Sequence, residues 1–188
     1  EIRKVTGVQT CALPISIDLA ILKRRAELGA KAKIAIMFPP LIYGLGQGNR
    51  LSIQLPTMAR FALKHGYAGY VGKGKALWRH IHVADLARGY MTILHYMESS
   101  SGEEVLKNPY FFSENGEDYS WEACAEMIGQ ALKQAGKIAD ATPREIPEEQ
   151  YGDLFKEWSV PVIGQNARNR ANRLRALGWE PQIGRAHV

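Results

Sequence analysis

Three histidines and a carboxylate form a cluster that could hold a metal ion. His80 and His82 are two residues apart, and Asp85 and His95 follow. On a strand, residues 80 and 82 would share one face, and Asp85 could add a third ligand from a following helix. The stretch lacks an established metal spacing such as H-E-x-x-H. We therefore predict no metal ligands, and we expect His82 to be a hydrogen-bonded histidine at a strand-to-helix junction.

Three glycine-containing stretches could bind phosphate: Gly66-x-x-Gly69-x-x-Gly72, Gly44-x-Gly46-x-Gly48 and Lys73-Gly74-Lys75. A phosphate loop needs a strand before it and a helix after it, so that backbone amides converge on the anion. The first stretch has the reverse order and is expected to be a plain turn. The second lacks an acidic ribose partner about 20 residues later and favours a flexible ligand-binding loop. The third is expected to be a solvated turn.

Signals for nucleophilic catalysis and for nucleic-acid binding are weak. Cys124 occupies a helical core position beside Trp121 and Met127, which is typical of a buried, inert thiol. No G-x-S-x-G elbow occurs in the chain. The arginines at 168, 170, 173 and 175 have no interleaved aromatic residues, so we expect a solvated face and no nucleic-acid partner.

The elements that must position these groups alternate between strand and helix. The apolar patterns predict strands at Lys33–Phe38, Ala76–Val83 and Tyr110–Phe112. They predict helices at Ile17–Leu28, Ser52–His65 (kinked or restarted at Pro56), Ala84–Met97, Ser120–Gln134 (with Ser120 as its cap), Glu148–Trp158 and Ala167–Leu177. A glycine-rich loop is expected at Leu41–Asn49. This alternation predicts an α/β fold, and the helix-rich end predicts a smaller helical subdomain.

The composition describes a chain that can bury a core. The 188 residues carry a net charge of +5, with 46% hydrophobic and 23% charged residues. No apolar run approaches the ~20 residues of a membrane span. Two cysteines are too few for a disulfide framework. We expect a cytoplasmic protein with no membrane partner.

Both ends of the chain look foreign to the rest. Codons for Ile183–Val188 can be chosen whose reverse complement, shifted by one base, encodes Thr-Cys-Ala-Leu-Pro-Ile, the peptide at Thr10–Ile15. One short DNA word can therefore encode both ends, and Val5–Ile15 resembles a translated sequencing-library adapter. We expect residues 1–16 and 182–188 to be adapter-derived and exclude them from fold reasoning.

Five stretches, in order, resemble the C-terminal half of extended short-chain dehydrogenases/reductases, the NAD-dependent epimerase/dehydratase family. They are Phe38-Pro-Pro-Leu-Ile-Tyr-Gly44, Tyr70-Val-Gly-Lys-Gly74, His82-Val-Ala-Asp-Leu-Ala87, Tyr110–Glu114 with Trp121, and Leu177-Gly-Trp-Glu-Pro181. The resemblance implies a truncated Rossmann-like parallel sheet over residues 17–112, with substrate-loop insertions. It implies a small, mostly helical substrate-binding subdomain over residues 113–181.

The resemblance also assigns roles to residues. It implies NAD or NADP as the parent protein's cofactor, with Phe38, Pro39, Pro40 and Ile42 as cofactor neighbours. It implies that Tyr43, Gly44 and Trp78 bind a small-molecule substrate, and that Asp85 is structural. A homodimer of the full-length parent remains open.

Two departures from the family pattern limit what this chain can do. None of its eight tyrosines has a lysine four residues later, so the family's Tyr-x-x-x-Lys pair would lie upstream, and no catalytic residue is assigned here. The family usually has arginine where Phe38 and Trp78 stand, which favours a more apolar hydroxyl or carbonyl substrate over a nucleotide sugar. We expect a fragment of an NAD(P)-dependent oxidoreductase or epimerase that is inactive alone. The alternative is a non-catalytic NAD(P)-sensing or scaffold protein on the same fold.

Overall fold

A computed structural model describes residues 15–46 and 52–183, in which short strands alternate with helices. The helices are α1 (Ile15–Leu28), α2 (Gln54–His65), α3 (Val83–Ser99), α4 (Gly102–Lys107), α5 (Trp121–Gln134), α6 (Ser159–Ile163) and α7 (Asn172–Ala176). The strands are β1 (Ile36–Phe38), β2 (Leu41–Tyr43), β3 (Gly69–Tyr70), β4 (Leu77–His82), β5 (Tyr110–Phe112), β6 (Asp118–Ser120) and β7 (Arg144–Glu145). Turns of 3₁₀ helix cover Gly29–Lys31, Glu148–Asp153 and Lys156–Trp158.

The described strands form three small sheets. β1 pairs with β5, and β3 pairs with β7, both in parallel. The third sheet has the order β2-β4-β6, in which β4 is parallel to β2 and antiparallel to β6. Parallel pairs joined through helices confirm the predicted α/β class.

Two apolar clusters hold the described part of the chain together. The first joins α2, α5 and the strand β2 around Met58, Trp121 and Ile163. The second joins α3, β4, β5 and the chain's later segments around Ile81, Phe111 and Trp179. The sheet β2-β4-β6 contributes to both clusters, because its two faces look in opposite directions.

The starts of helices α3 and α5 agree with the sequence-based expectations. Ser120 caps α5, with its hydroxyl accepting a hydrogen bond from the Ala123 N–H at 3.0 Å. His82 stands at the N-terminus of α3, where its Nδ1 accepts from the Ala84 N–H at 3.2 Å. The predicted junction histidine is therefore confirmed, and the strand Tyr110–Phe112 has the predicted bounds.

One expected loop is partly a strand. The glycine-rich loop was expected over Leu41–Asn49, but Leu41–Tyr43 forms β2. Its residues pair with His80, Ile81 and His82 of β4. The reason is tertiary: an apolar triplet beside the edge of β4 gains a full set of ladder partners. Gly48 and Asn49, also assigned to that loop, lie outside the described residues.

Two predicted helices are largely replaced by tighter or irregular backbone. Glu148–Trp158 contains two 3₁₀ turns, and Ala167–Leu177 contains α-helix only at Asn172–Ala176. Ala167 cannot join a helix because its backbone exchanges hydrogen bonds with Leu77 and Arg79 of β4. Tertiary pairing overrides the local helix preference here.

Smaller differences also have local causes. Helix α4 and strand β6 were not expected, and the strand expected at Lys33–Phe38 is confined to Ile36–Phe38. Helix α2 begins at Gln54, which places Pro56 in its first turn, where a missing N–H costs nothing and no kink is needed. No described helix is both long and apolar enough to cross a membrane.

Candidate functional site

An apolar cavity of about 340 Å³ opens on one face of the sheet β2-β4-β6. The sheet contributes Leu41, Tyr43, Trp78, His80 and Tyr119, and Arg79 lies at the margin. Helices α2 and α5 close the other side with Leu55, Trp121, Cys124 and Met127. The cavity has the size and apolar lining of a small-molecule site.

Strand geometry explains which side chains reach the cavity. Side chains alternate between the two faces of a strand. Trp78 and His80 therefore lie on one face of β4, and Arg79 lies on the opposite face. Trp78 lies directly opposite Tyr119 on β6, and the Tyr43 ring packs 5.4 Å from the His80 ring. Two of the three predicted substrate-pocket residues, Tyr43 and Trp78, are thus brought together.

The cationic group nearest the cavity is held by carboxylates. Arg79 is 2% exposed, and its guanidinium bonds to Glu114 Oε2 at 2.5 Å and to Asp118 Oδ1 at 2.7 Å. Arg175 and Arg168 complete the network on the two carboxylates. Among the described lining residues, no cation is left unpaired to receive a phosphate.

Burial sets the protonation states of the groups that line the cavity. It lowers the pKa of His80 from its ordinary value of 6.5, an effect that Glu117 opposes and Arg79 reinforces. It raises the pKa of Tyr43, and it raises the pKa of Tyr119 to about 12 with help from a hydrogen bond to Glu117. It raises the pKa of the Cys124 thiol to about 11. At neutral pH these groups are uncharged. The raised pKa of Cys124 agrees with the inert thiol expected from the sequence, although its side chain is only partly buried.

A second cavity of about 290 Å³ adjoins the first through Leu41, which lines both. Its walls include Pro40, Ile42, Gly44 and Val83, so it gathers two predicted cofactor neighbours with the third predicted substrate residue. Gly44 has a φ of +96°, and a Cβ there would lie 2.4 Å from His82 Nε2. Only glycine allows this approach of the chain to the His82 ring.

The other two predicted cofactor neighbours line neither cavity. Phe38 is half-buried and stacks on Phe112 with ring centroids 5.3 Å apart. Its carbonyl accepts from the Ser113 N–H at 3.3 Å, and Pro39 is exposed. Both residues lie at the carboxyl end of β1, where open α/β sheets bind ligands.

Asp85 anchors the last described segment of the chain. Its carboxylate is fully buried and accepts 3.0 Å hydrogen bonds from the N–H groups of Gln182 and Ile183. Its backbone oxygen accepts from Trp179 Nε1 at 3.0 Å. These contacts fit the structural role expected for Asp85. The bonds to residues 182 and 183 use only their backbone, so they do not depend on which residues stand there.

The structure also bears on the hypotheses of a metal site and of a phosphate loop, and it leaves most of the two chain ends undescribed. Within the described residues, no three His, Cys, Asp or Glu side chains come close enough to hold a metal. The stretch Gly66–Gly72 was expected to be a plain turn, but it contains the two-residue strand β3. It follows helix α2, so it has the reverse of the strand-before-helix order that a phosphate loop needs. Of the residues 1–16 and 182–188 that are expected to be adapter-derived, 1–14 and 184–188 lie outside the described residues.

Sequence reasoning missed His80 and Tyr119 as cavity residues. For His80 a signal existed, because it lies two residues from Trp78 on the same strand. For Tyr119 there was none, since β6 was not expected and its pairing with β4 joins residues about 40 positions apart.

Comparison with known proteins identifies the fold. No family model matches the chain. It is similar to the oxidase ucsJ of Acremonium sp., with 25% identity over 162 residues covering 80% of this chain and 46% of the oxidase. The chain therefore spans about half the length of the curated relative that it matches.

Solved structures give the same picture at lower identity. UDP-glucuronic acid 4-epimerase of Bacillus cereus, in complex with UDP-glucuronic acid and NAD, matches with a TM-score of 0.60 and 16% identity over 90% of this chain and 46% of the enzyme. dTDP-glucose 4,6-dehydratase of Bacillus anthracis, in complex with NAD, matches with a TM-score of 0.56 and 16% identity over 89% and 45%. The chain has the α/β fold of roughly half of these Rossmann-like enzymes.

Proposed function

We propose that this chain is the substrate-side part of an NAD(P)-dependent oxidoreductase or epimerase that acts on a hydroxyl or carbonyl group by hydride transfer. The observation that carries the proposal is the pair of adjoining cavities that share Leu41. Hydride transfer requires a cofactor ring and a substrate carbon in contact, and two cavities that meet at Leu41 would hold the two molecules side by side. Relatives that bind NAD and sugar nucleotides support the cofactor class.

The smaller cavity fits the nicotinamide end of the cofactor. Pro40, Ile42 and Val83 offer apolar walls, and the missing Cβ of Gly44 brings the backbone close to His82. The glycine-containing loop after β2 leads to α2, but it lacks the acidic ribose partner that accompanies a dinucleotide loop, so the diphosphate would be bound by residues outside this chain. When bound, the cofactor supplies or accepts the hydride.

The proton that accompanies the hydride would also be handled outside this chain. No Tyr-x-x-x-Lys pair is present, and the raised pKa values of Tyr43 and Tyr119 make both poor bases at neutral pH. The part of the reaction that this chain would perform is to bind and orient the substrate and to keep water from it.

Titration of the ¹⁵N-labelled chain with NAD and, separately, with AMP tests the proposal. We expect weak amide shifts at Ile42, Gly44 and Val83 with NAD, none there with AMP, and no NADH formation when a secondary alcohol is added as the hydride donor. Ile42→Ala should weaken the shifts. Ile34→Ala should not, because Ile34 lines a separate groove beside helix α1 and neither of the two cavities. Turnover by the chain alone would refute the proposal that catalysis requires residues outside this chain. Amide shifts with NAD that are confined to other residues would refute the proposal that the smaller cavity binds the cofactor.

A further inference from the structure

The apolar cavity on the sheet β2-β4-β6 is lined by one histidine, His80, whose tautomer is fixed by its neighbours. His80 lies between Tyr43 and Tyr119, with ring centroids 5.4 and 4.7 Å away, so its ring has little freedom to turn. Its Nε2 is 2.6 Å from the side-chain nitrogen of Asn115. Asn115 is 2% exposed and is tied to the same strand, with its backbone N–H donating to the His80 carbonyl at 3.1 Å.

The orientation of the Asn115 amide decides where the His80 proton lies. Asn115 Oδ1 accepts from the Glu117 N–H at 3.2 Å, so the atom that faces His80 is the donor Nδ2. A donor facing Nε2 requires Nε2 to be the unprotonated acceptor. The neutral ring must then carry its proton on Nδ1. The lowered pKa of His80, caused chiefly by burial, agrees with a neutral ring.

The Nδ1–H of His80 has no hydrogen-bond partner among residues 15–46 and 52–183, where the hydrogen bond of the ring is the one that joins Nε2 to Asn115. Nδ1 is not one of the fully buried atoms without a partner, and the ring that carries it lines the cavity. We infer that this donor is available to a ligand in the cavity. A fixed donor at the edge of an otherwise apolar cavity is the usual device for orienting one oxygen of a ligand.

The charges around the cavity exclude an anionic ligand. Arg79 is occupied by Glu114 and Asp118, and the exposed Glu117 adds negative charge near Tyr43 and Tyr119. A diphosphate would find no unpaired described cation in the lining. An uncharged, apolar molecule with one carbonyl or hydroxyl oxygen meets every feature of the lining.

We propose that the cavity on the sheet β2-β4-β6 binds an uncharged, largely apolar carbonyl compound or alcohol about the size of an aromatic ring system. The oxygen of this ligand accepts a hydrogen bond from His80 Nδ1. This deepens the proposed function by naming the substrate class, and it makes His80 a substrate-binding residue. Trp78 and Trp121, whose ring centroids are 5.4 Å apart, supply the apolar wall.

The test uses prodan, a neutral naphthyl ketone, as the probe, and follows its binding to the full 188-residue chain by quenching of tryptophan fluorescence. We expect prodan to bind saturably, and we expect that UDP does not compete with it. His80→Phe should weaken it by about two- to tenfold, the loss of one neutral hydrogen bond. His80→Gln, which keeps a donor, should retain more affinity than His80→Phe, and His95→Phe, at an exposed position on α3, should match the unmodified chain.

Long-range ¹H–¹⁵N correlation spectra of the histidines give an independent reading of the tautomer. We expect the proton of His80 on Nδ1, and a proton on Nε2 would overturn the proposal. Equal prodan affinity in the chain and in folded His80→Phe, or competition by UDP, would overturn it as well. Because none of these measurements involves NAD, failure here is distinct from failure of the hydride-transfer proposal.

Discussion

Arg79 Nη1 lies 2.5 Å from Glu114 Oε2, and both side chains are almost completely buried. This pair links β4, which lines the cavity, to the segment after β5. Glu114 also accepts from the Ala171 N–H at 3.0 Å and binds Arg175, so it joins three separated parts of the chain. The cation beside the cavity is therefore part of the framework and is withheld from ligands.

Removing the carboxylate should destabilise the fold strongly. Glu114→Ala leaves Arg79 buried without its main partner, and breaking a buried pair from one side costs about 3–5 kcal/mol. Urea unfolding followed by circular dichroism measures this loss. Glu98→Ala, at an exposed position in α3, is the matched control and should change the free energy of unfolding by less than about 0.5 kcal/mol. An equally small change for Glu114→Ala would contradict the structural role.

The same carboxylate should contribute a pH dependence. Burial raises the pKa of Glu114, but Arg175, the Ala171 amide and Arg79 together outweigh it and lower the pKa below its usual 4.5. A carboxyl group whose pKa is lower in the folded state than in the unfolded state stabilises the fold at pH values above its unfolded-state pKa. This stabilisation is lost as the pH falls through the folded-state pKa. The stability difference between the chain and Glu114→Gln should therefore shrink below about pH 4.5. Thermal unfolding from pH 7 to pH 3 measures it, and a constant difference would refute it.

The sequence predicted those elements whose cause is local. The cap at Ser120, the junction at His82 and the strand Tyr110–Phe112 depend on neighbours within a few residues. Strands β2 and β6 were missed because each is only three residues long and is stabilised by β4, a distant partner. The helix expected at Ala167–Leu177 is short for the converse reason, since β4 holds Ala167.

The candidate site was likewise predicted only in part, because some of its features depend on distant residues. Tyr43 and Trp78 were named from a resemblance, and the structure places both in one cavity. The closing wall from α2 and α5 and the neutral state of His80 could not be foreseen, because they require knowing which helix packs on which sheet face. Asn115, which fixes the His80 tautomer, is 35 residues away in sequence.

Cys124 should react slowly with thiol reagents although it lines the cavity. With its pKa raised to about 11, its thiolate fraction at pH 7.5 is lower than that of an ordinary thiol by roughly a few hundredfold. Maleimide labelling of a Cys11→Ser variant, followed by mass spectrometry, measures the rate, and the urea-unfolded chain serves as the control. Equal rates in the folded and unfolded states would show that burial does not protect the thiol.

Asp85→Asn should release the last described segment. The amide can accept at one atom only, which leaves one of the Gln182 and Ile183 N–H groups unpaired at a cost of about 1–3 kcal/mol. Hydrogen exchange at these two amides should accelerate. Arg88→Lys keeps the buried carboxylate and removes only its bond to the guanidinium, so it should leave the two amides protected. Equal exchange in both variants would contradict the role of the carboxylate.

Gly44, which lines the smaller cavity, and Gly66, which ends helix α2, distinguish the cost of backbone strain from the cost of a steric clash. Gly44 and Gly66 have φ values of +96° and +76°, where an L-residue costs about 1–2 kcal/mol. A Cβ at Gly66 meets nothing within 4 Å, whereas one at Gly44 would lie 2.4 Å from His82 Nε2. His82 cannot give way freely, since its Nδ1 caps α3 and its ring packs 5.2 Å from Tyr43.

Gly44→Ala should therefore be more destabilising than Gly66→Ala by about 1–3 kcal/mol, the usual cost of overpacking. Urea unfolding of the two variants side by side measures the difference. Gly44→Ala should also shift the NMR signals of Tyr43 and Ala84, because the displaced His82 ring contacts both, and Gly66→Ala should leave them in place. Equal stabilities would mean that the chain at Gly44 can move away from His82, and the wall between the two cavities would then not be rigid.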